Sequence, residues 1–474
     1  MSELKKPPYS PGEVLELKID DLNHKGEGVG KAAGFTLFVP GALPGEIVRA
    51  EVYRLRKNHG EAKQLLLKEQ SSYRVEPPCS HFPQCGGCQI QHLAYEKQLS
   101  WKQKRVSESL KRIAGLENSA DITASVLGMS EPWRYRNKAR IHFAVTGNRV
   151  IAGFYQKQSH RIIDIKDCPV QHPTNAQMIT VLREALRQYT GLKGKPGNKK
   201  SKPALPVEEA ELRTSFSTGN CLVTLIAPIN KAKKNPGRLK EEYKKLAELI
   251  GRIAKVPLAG ISLYLPGKDS GKYLTLSGEP YLEETIPPFQ YRLSPASFFQ
   301  VNPEQAAILY DQAASMSGNP QTAYDLYCGT GNFSLYLGRK AEEVTGVDSK
   351  ASAIKDARAN AALNEMLNIN FINARAEEIP ELLSYGKQPK AIFINPPRRG
   401  CSPELLNAVL AAGPERIIYV SCNPATLARD LKYLKEQAFA ACSVQPVDMF
   451  PHTTHIESAV LLQFAPYYFL PASK

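Results

Sequence analysis

Hydrophobic positions fall into three textures along the chain. From residue 9 to 68, short alternating runs (Val14 to Ile19, Thr36 to Val39, Glu46 to Tyr53, Glu61 to Leu67) are separated by Gly, Pro and Asn. That is the period-two signature of half-buried strands joined by turns, and it predicts a small OB-type β-barrel. Gly26, Gly28 and Gly30 read as one tight loop, with Pro40-Gly41 and Pro44-Gly45 as two more. Residues 92 to 115 place Leu99, Val106, Leu110 and Ile113 on one face and lysines on the other, which predicts a helix. Strand and helix patterns mix between about 126 and 285, where Gly191 to Lys202 is polar and Gly-rich enough to predict a mobile basic loop. From about 286, strands and helices alternate, as in a doubly wound parallel sheet. The expected organisation is therefore multidomain α/β: a barrel over 1–70, a central α+β domain over 71–285, and a Rossmann-like domain over 286–474. No internal repeat interrupts it.

The predicted strands of the last region stop at chemistry. Ala323 to Leu326 runs into Tyr327-Cys328-Gly329-Thr330-Gly331-Asn332, and Val344 to Val347 ends at Asp348. Ala391 to Ile394 is followed by Asn395-Pro396-Pro397-Arg398-Arg399-Gly400, and Ile417 to Ser421 by Cys422-Asn423-Pro424. Open α/β sheets bind ligands at the carboxyl ends of their strands. Cys422 thus stands where a thiolate can meet a substrate, although a free cysteine is more often simply packed away. Asp348 suits ribose hydroxyls. Ser334 occupies the place of the third glycine in a dinucleotide fingerprint, so an adenosine cofactor without a pyrophosphate, S-adenosylmethionine, fits better than NAD.

Charge narrows the partners. Lys and Arg number 61 against 46 Asp and Glu, a formal net charge of +15. That balance favours RNA or DNA over an acidic membrane. Arg49, Arg54, Arg56, Lys57 and Lys63 lie on or beside the barrel strands, and Trp133-Arg134-Tyr135-Arg136-Asn137-Lys138 interleaves aromatics with cations in a way that suits bases and phosphates. No run approaches the ~18 apolar residues of a membrane span, and no leader is visible, so a cytoplasmic protein is expected. No feature predicts an obligate protein partner. The nine cysteines point to metal or thiol chemistry rather than disulfides. Cys79, Cys85 and Cys88 cluster in a Gly/Pro-rich stretch, and Cys168 lies far downstream. Four such thiols suit zinc or an iron–sulfur cluster, and spacing alone does not choose. His452 and His455 have no third ligand nearby in sequence.

Together, FFQVNPEQ around Gln300, DLYCGTGNF, NPPRRG, YVSCNPATLARDL and MFPHTTHIE resemble the RNA 5-methyluridine methyltransferases, and among them the bacterial 23S rRNA uracil-C5 enzymes. The front half is similar to a TRAM domain followed by a four-cysteine cluster. The resemblance implies methyl transfer from S-adenosylmethionine to C5 of a uridine in ribosomal RNA, with Cys422 as nucleophile and Glu457 as the base that removes the C5 proton. It implies cofactor contacts at Gln300, Tyr327, Asn332, Asp348 and Asn395. Cys79, Cys85, Cys88 and Cys168 would hold a [4Fe-4S] cluster, ahead of zinc. The helix over 93–125 would pack with the methyltransferase domain. The transfer-RNA branch is expected to lack the TRAM domain and cluster, which favours the ribosomal branch. Asn395 and Asp348 depart from the family's usual Asp and Glu. Two alternatives follow from that: an RNA-binding protein with impaired catalysis, or a methyltransferase acting on exocyclic amino groups, in which Arg398 would stand where an aromatic belongs.

Overall fold

A computed structural model describes residues 7–191, 205–229, 236–267, 271–383 and 387–465, so the expected basic loop lies, Gly191 apart, outside the described residues. The chain divides into two compact units, 1–102 with 450–455, and 103–449 with 456–474.

In the first unit, strands Val14–Leu22, Gly28–Ala32, Phe35–Val39, His59–Glu69 and Ile47–Leu55 close into a barrel in that spatial order. Leu17, Ile19, Leu37, Val39, Val48, Ala50, Val52 and Ala62 point inward and form its core, as the alternation requires. The second strand corrects the sequence reading, which treated its glycines as a loop. A Cβ on Gly28 would come within 2.8 Å of the Ala42 carbonyl, and one on Gly30 within 2.9 Å of the Lys18 carbonyl. The barrel closes tightly there, and glycines replace the apolar residues that would have betrayed a strand. Glu46, fully buried, is answered by Arg74 Nε at 2.6 Å, Arg74 Nη2 at 2.8 Å and the Leu43 amide at 2.8 Å. The guanidinium and amide bonds outweigh burial and hold its carboxyl below the usual range. Residues 450–455 join this unit through the His452 carbonyl, which accepts from the amides of Gln89 and Ile90 at 3.0 and 3.1 Å.

The second unit carries two seven-stranded sheets. The central sheet is mixed, running Lys272–Gly278, Leu258–Leu265, Cys221–Ile226, Glu209–Thr214, Lys138–Thr146, Arg149–Tyr155, Ile162–Asp164. Helices Pro173–Tyr189 and Pro236–Ile253 cover one face through Leu182, Leu186, Leu239, Leu246 and Ile250. A hairpin, Leu282–Ile286 with Phe289–Leu293, follows. The second sheet runs Ile369–Asn373, Glu343–Asp348, Thr322–Leu326, Ala391–Ile394, Arg416–Ser421, Glu457–Phe464, Phe439–Val447. Its first five strands are parallel, Glu457–Phe464 runs antiparallel to them, and Phe439–Val447, antiparallel to Glu457–Phe464, again runs their way. Ala391–Ile394 is buried at every position, which is why the central strands read as continuous apolar runs rather than alternating ones.

The helix observed is Tyr95–Ala114, with a separate short turn of helix at Ser119–Ile122. Val106, Leu110 and Ala114 enter the core around Tyr419, Leu427 and Val460, while Ile113, expected on the same face, is 40% exposed. The aromatic–basic stretch also departs from expectation. Tyr135 is 2% exposed, Arg134 is held by Asp167 at 2.7 Å, and Lys138 by Glu211 at 2.7 Å. Tyr135 is a core residue there, closed to base stacking.

Candidate active site

In the second of the seven-stranded sheets, strand order reverses between Thr322–Leu326 and Ala391–Ile394, because the chain steps outward to one side and returns to build the other. The crevice at such a switch point is where open α/β sheets bind ligands. Tyr327, Asp348, Asn395 and Cys422 all sit at or just past the carboxyl ends of parallel strands bordering it.

Register sets Cys422 against Glu457. Arg416–Ser421 pairs antiparallel with Glu457–Phe464, Ser421 opposite Ser458. One step further along that ladder brings Cys422 opposite Glu457, and directly opposed residues in a sheet present their side chains on the same face. Asn423 then turns the chain: its side chain accepts from the Ala425 amide at 3.1 Å and caps helix Pro424–Glu436, with Pro424 at the first helical position. The Cys-Asn-Pro sequence is thus a strand end, a cap and a helix start.

Arg398 enters from the loop after Ala391–Ile394, its carbonyl accepting from Asn423 Nδ2 at 3.4 Å and Thr426 Oγ1 at 3.3 Å. Burial pushes the Cys422 thiol up to about 11, with the Glu457 carboxylate adding to the rise, while the charge and hydrogen bond of Arg398 oppose it. Burial also pushes Glu457, 5% exposed, up to about 8, and Arg398 is the charge that draws it back. A thiol, a carboxyl group and one cation therefore share the site. The cation favours the anionic form of both neighbours.

The cofactor residues expected from the resemblance border the same edge. Tyr327 takes a left-handed backbone, φ 65°, a conformation rare for a bulky residue and held only where surroundings fix it. The turn after it is fixed by the Cys328 amide to the Val347 carbonyl at 3.1 Å, and by the Gly329 amide to Asp348 Oδ2 at 3.1 Å. Asp348 Oδ1 accepts from the Lys350 amide at 2.8 Å. Each carboxylate oxygen keeps a further lone pair for a ribose hydroxyl. Asn332 is buried, accepting from Thr330 Oγ1 and donating to the Tyr310 hydroxyl. Gln300 is 6% exposed, and its carbonyl accepts from Asn137 Nδ2 at 3.2 Å. The Asn395 amide donates to the Leu326 carbonyl at 3.4 Å, linking the two strands that flank the switch point.

Two participants were missed in the sequence. Arg398 of NPPRRG enters the sequence reading only as the residue in place of an aromatic, although a cation just beyond a Pro-Pro strand end is a visible signal. Asp325, one strand position before Leu326, is 1% exposed. Its Oδ2 accepts from Ser334 Oγ at 2.6 Å, its Oδ1 has no partner, and burial raises it to about 7.

The sequence expects Cys79, Cys85, Cys88 and Cys168 to hold a metal centre. Cys79, Cys85 and Cys88 belong to the first unit and Cys168 to the second. Among the described residues, no three His, Cys, Asp or Glu side chains are grouped so as to hold a metal ion, His452 and His455 included.

Comparison with known proteins decides the family. The model of the tRNA (uracil-5-)-methyltransferases matches residues 207–465, and that of the TRAM domain residues 9–65. An uncharacterised RNA methyltransferase of Halalkalibacterium halodurans is 40% identical over 96% of this chain and 98% of its own. The chain belongs to the tRNA (uracil-5-)-methyltransferase family. It is accordingly an S-adenosylmethionine-dependent RNA (uracil-5) methyltransferase with an N-terminal TRAM domain. An uncharacterised RNA methyltransferase of Listeria monocytogenes is 39% identical over 95% of this chain and 97% of its own. The Pyrococcus abyssi tRNA (uracil-54, C5)-methyltransferase, solved with S-adenosyl-L-homocysteine, is 26% identical with a TM-score of 0.70, covering 94% of this chain and 100% of that one. That match removes one step of the sequence argument. An enzyme of transfer RNA spans nearly the whole architecture, so length and front-half architecture do not separate ribosomal from transfer-RNA substrates. In the described residues, no helix is long and apolar enough to cross a membrane.

Proposed function

We propose that this cytoplasmic enzyme methylates C5 of a uridine in 23S ribosomal RNA through a transient bond between Cys422 Sγ and C6 of the ring. The observation that supports the reading is the pairing of Ser421 with Ser458, which sets Cys422 and Glu457 at adjoining strand ends, both under the charge of Arg398. The ribosomal target is supported by the motif resemblance, and the net charge of +15 supports an RNA partner without naming which one.

Uracil C5 is too poor a nucleophile to take a methyl group unaided. Cys422, its proton lost to solvent and its thiolate held by Arg398, bonds to C6, and the displaced C5–C6 electron pair makes an enolate rich at C5. S-adenosylmethionine supplies the methyl group from its sulfonium and leaves as S-adenosylhomocysteine. The Glu457 carboxylate then takes the C5 proton, the C5–C6 double bond re-forms, and the C6–S bond breaks to return the thiolate. Glu457 finally releases its proton to solvent. This is covalent catalysis, one hard step divided into easier ones. A pKa of about 8 makes Glu457 a stronger base, once ionised, than an ordinary carboxylate, and places it near the working pH.

Asp348 would hold the ribose of the cofactor, and Gln300, Tyr327, Asn332 and Asn395 would bound the rest of its site. The target base must leave its stack to reach Cys422. The exposed cations Arg49, Arg54, Arg56, Lys57 and Lys63 of the barrel would hold RNA phosphates. A [4Fe-4S] cluster on Cys79, Cys85, Cys88 and Cys168 rests on the resemblance and on thiol chemistry. Iron and sulfide analysis of anaerobically purified protein decides it, and no step above depends on it.

The function is tested by nucleoside mass spectrometry of 23S and transfer RNA from cells with and without the gene. Loss of 5-methyluridine at a 23S position is expected. Loss confined to transfer RNA would overturn the ribosomal assignment, and no loss in either would overturn the methyltransferase reading in that cell.

A further inference from the structure

Arg398 reaches the thiol from a loop of surface residues, and the fastening of that loop converges on one buried carboxylate. Asp430, 2% exposed on helix Pro424–Glu436, accepts through Oδ2 from the Cys401 amide at 2.8 Å and from the Tyr419 hydroxyl at 2.6 Å. Its Oδ1 accepts from Arg429 Nε at 2.8 Å. The same guanidinium donates to the carbonyls of Arg399 and Cys401 at 3.0 and 3.1 Å. Gly400 turns between them at φ 77°, and a Cβ there would lie 2.5 Å from Asp430 Oδ2. The loop thus accommodates the carboxylate by omitting a side chain. Its other leg is tied by Asn423 and Thr426 to the Arg398 carbonyl.

All of these anchors come from residues 419 to 430, the segment that also carries Cys422. A buried carboxylate is costly unless its lone pairs are satisfied, and here the satisfying donors are the loop itself, its neighbour Arg429 and the strand of the nucleophile. Nucleophile and cation are therefore mounted on one rigid frame, whose joint is Asp430.

We propose that Asp430 is a positioning residue for the methyl-transfer reaction: it acts through Arg398, fixing where the guanidinium meets Cys422 Sγ, and touches neither uracil nor cofactor. This inference rests on the reading of Cys422 as nucleophile given above. A misplacement of about 1 Å in a reacting group costs about 100-fold in rate, so loosening the joint should slow attack without weakening binding.

The test is the single-turnover rate of covalent adduct formation with 5-fluorouridine RNA at saturating S-adenosylmethionine, alongside RNA and cofactor affinities. Asp430→Asn should slow the adduct about 10- to 100-fold with both affinities unchanged. In an Arg398→Ala background the same substitution should add nothing further, since coupled residues are non-additive. An equal loss in both backgrounds, or an unchanged rate, would overturn the inference while leaving the cysteine mechanism standing. Absence of adduct in the unaltered enzyme would instead overturn the cysteine mechanism, and this inference with it. Should Asp430→Asn not fold, Tyr419→Phe removes the 2.6 Å donor to Asp430 and the weaker bond that the same hydroxyl accepts from Cys401 Sγ, leaving the carboxylate in place. It should slow the adduct in the same way to a smaller degree, and an unchanged rate would overturn the proposal.

Discussion

Replacing Glu457 with glutamine should make the protein more stable and nearly inactive. The carboxyl group is 5% exposed, and burial raises it from 4.5 to about 8. Its folded-state pKa lies above the unfolded value, so between these limits the folded protein holds a proton that the unfolded chain has released. Stability from this group is therefore highest below about pH 4.5 and falls as pH rises to about 8. At about 1.4 kcal/mol per pKa unit, the ionised carboxylate costs about 5 kcal/mol by pH 9. Glutamine keeps the shape and removes the charge. Its gain should be near zero at pH 5 and several kcal/mol at pH 9, read as the shift in urea midpoint of the methyltransferase unit across that range. Equal midpoints at pH 9, or a less stable variant there, would refute the burial argument. The same variant should lose about 100- to 10,000-fold in turnover. Addition and methyl transfer both precede proton removal, so methylated RNA should accumulate covalently attached to the variant.

Three shorter predictions rest on the same geometry. Turnover of the unaltered enzyme should rise with pH towards about 8 as Glu457 ionises, and a rate independent of pH between 6 and 8 would remove Glu457 as the base. Gly400→Ala should destabilise by about 1–3 kcal/mol, because its Cβ would meet Asp430 Oδ2 at 2.5 Å in a left-handed conformation; differential scanning measures it. Asn395→Asp should change the rate only modestly, because the Asn395 amide, not its side chain, ties the two strands. If labelled methyl transfer appears only in that variant, the natural chain is an RNA-binding protein with impaired catalysis.

The sequence made the strand ends legible because each buried run stops at a polar residue followed by glycine or proline, and the crevice lies where those ends meet. Other features were hidden for physical reasons. The strand Gly28–Ala32 carries no apolar alternation, since the barrel wall is too close for side chains at Gly28 and Gly30. Trp133 to Lys138 looks like a nucleic-acid surface, yet its period of two turns Tyr135 into the core and sets Arg134 and Lys138 against acids. Asp430 reads as an ordinary polar position of an amphipathic helix. Only the turn at Gly400, thirty residues earlier, shows what the carboxylate holds. The meeting of Cys422 and Glu457 depends on an antiparallel return strand, whose register no local pattern encodes.

The most direct test is to incubate 5-fluorouridine-substituted 23S RNA with S-adenosylmethionine and either the unaltered enzyme or Cys422→Ala, then resolve the products under denaturing conditions. Fluorine at C5 cannot be removed as a proton, so the account predicts a stable protein–RNA band with the first and none with the second. Methylation of ordinary uridine by Cys422→Ala, at a rate approaching that of the unaltered enzyme, would contradict it.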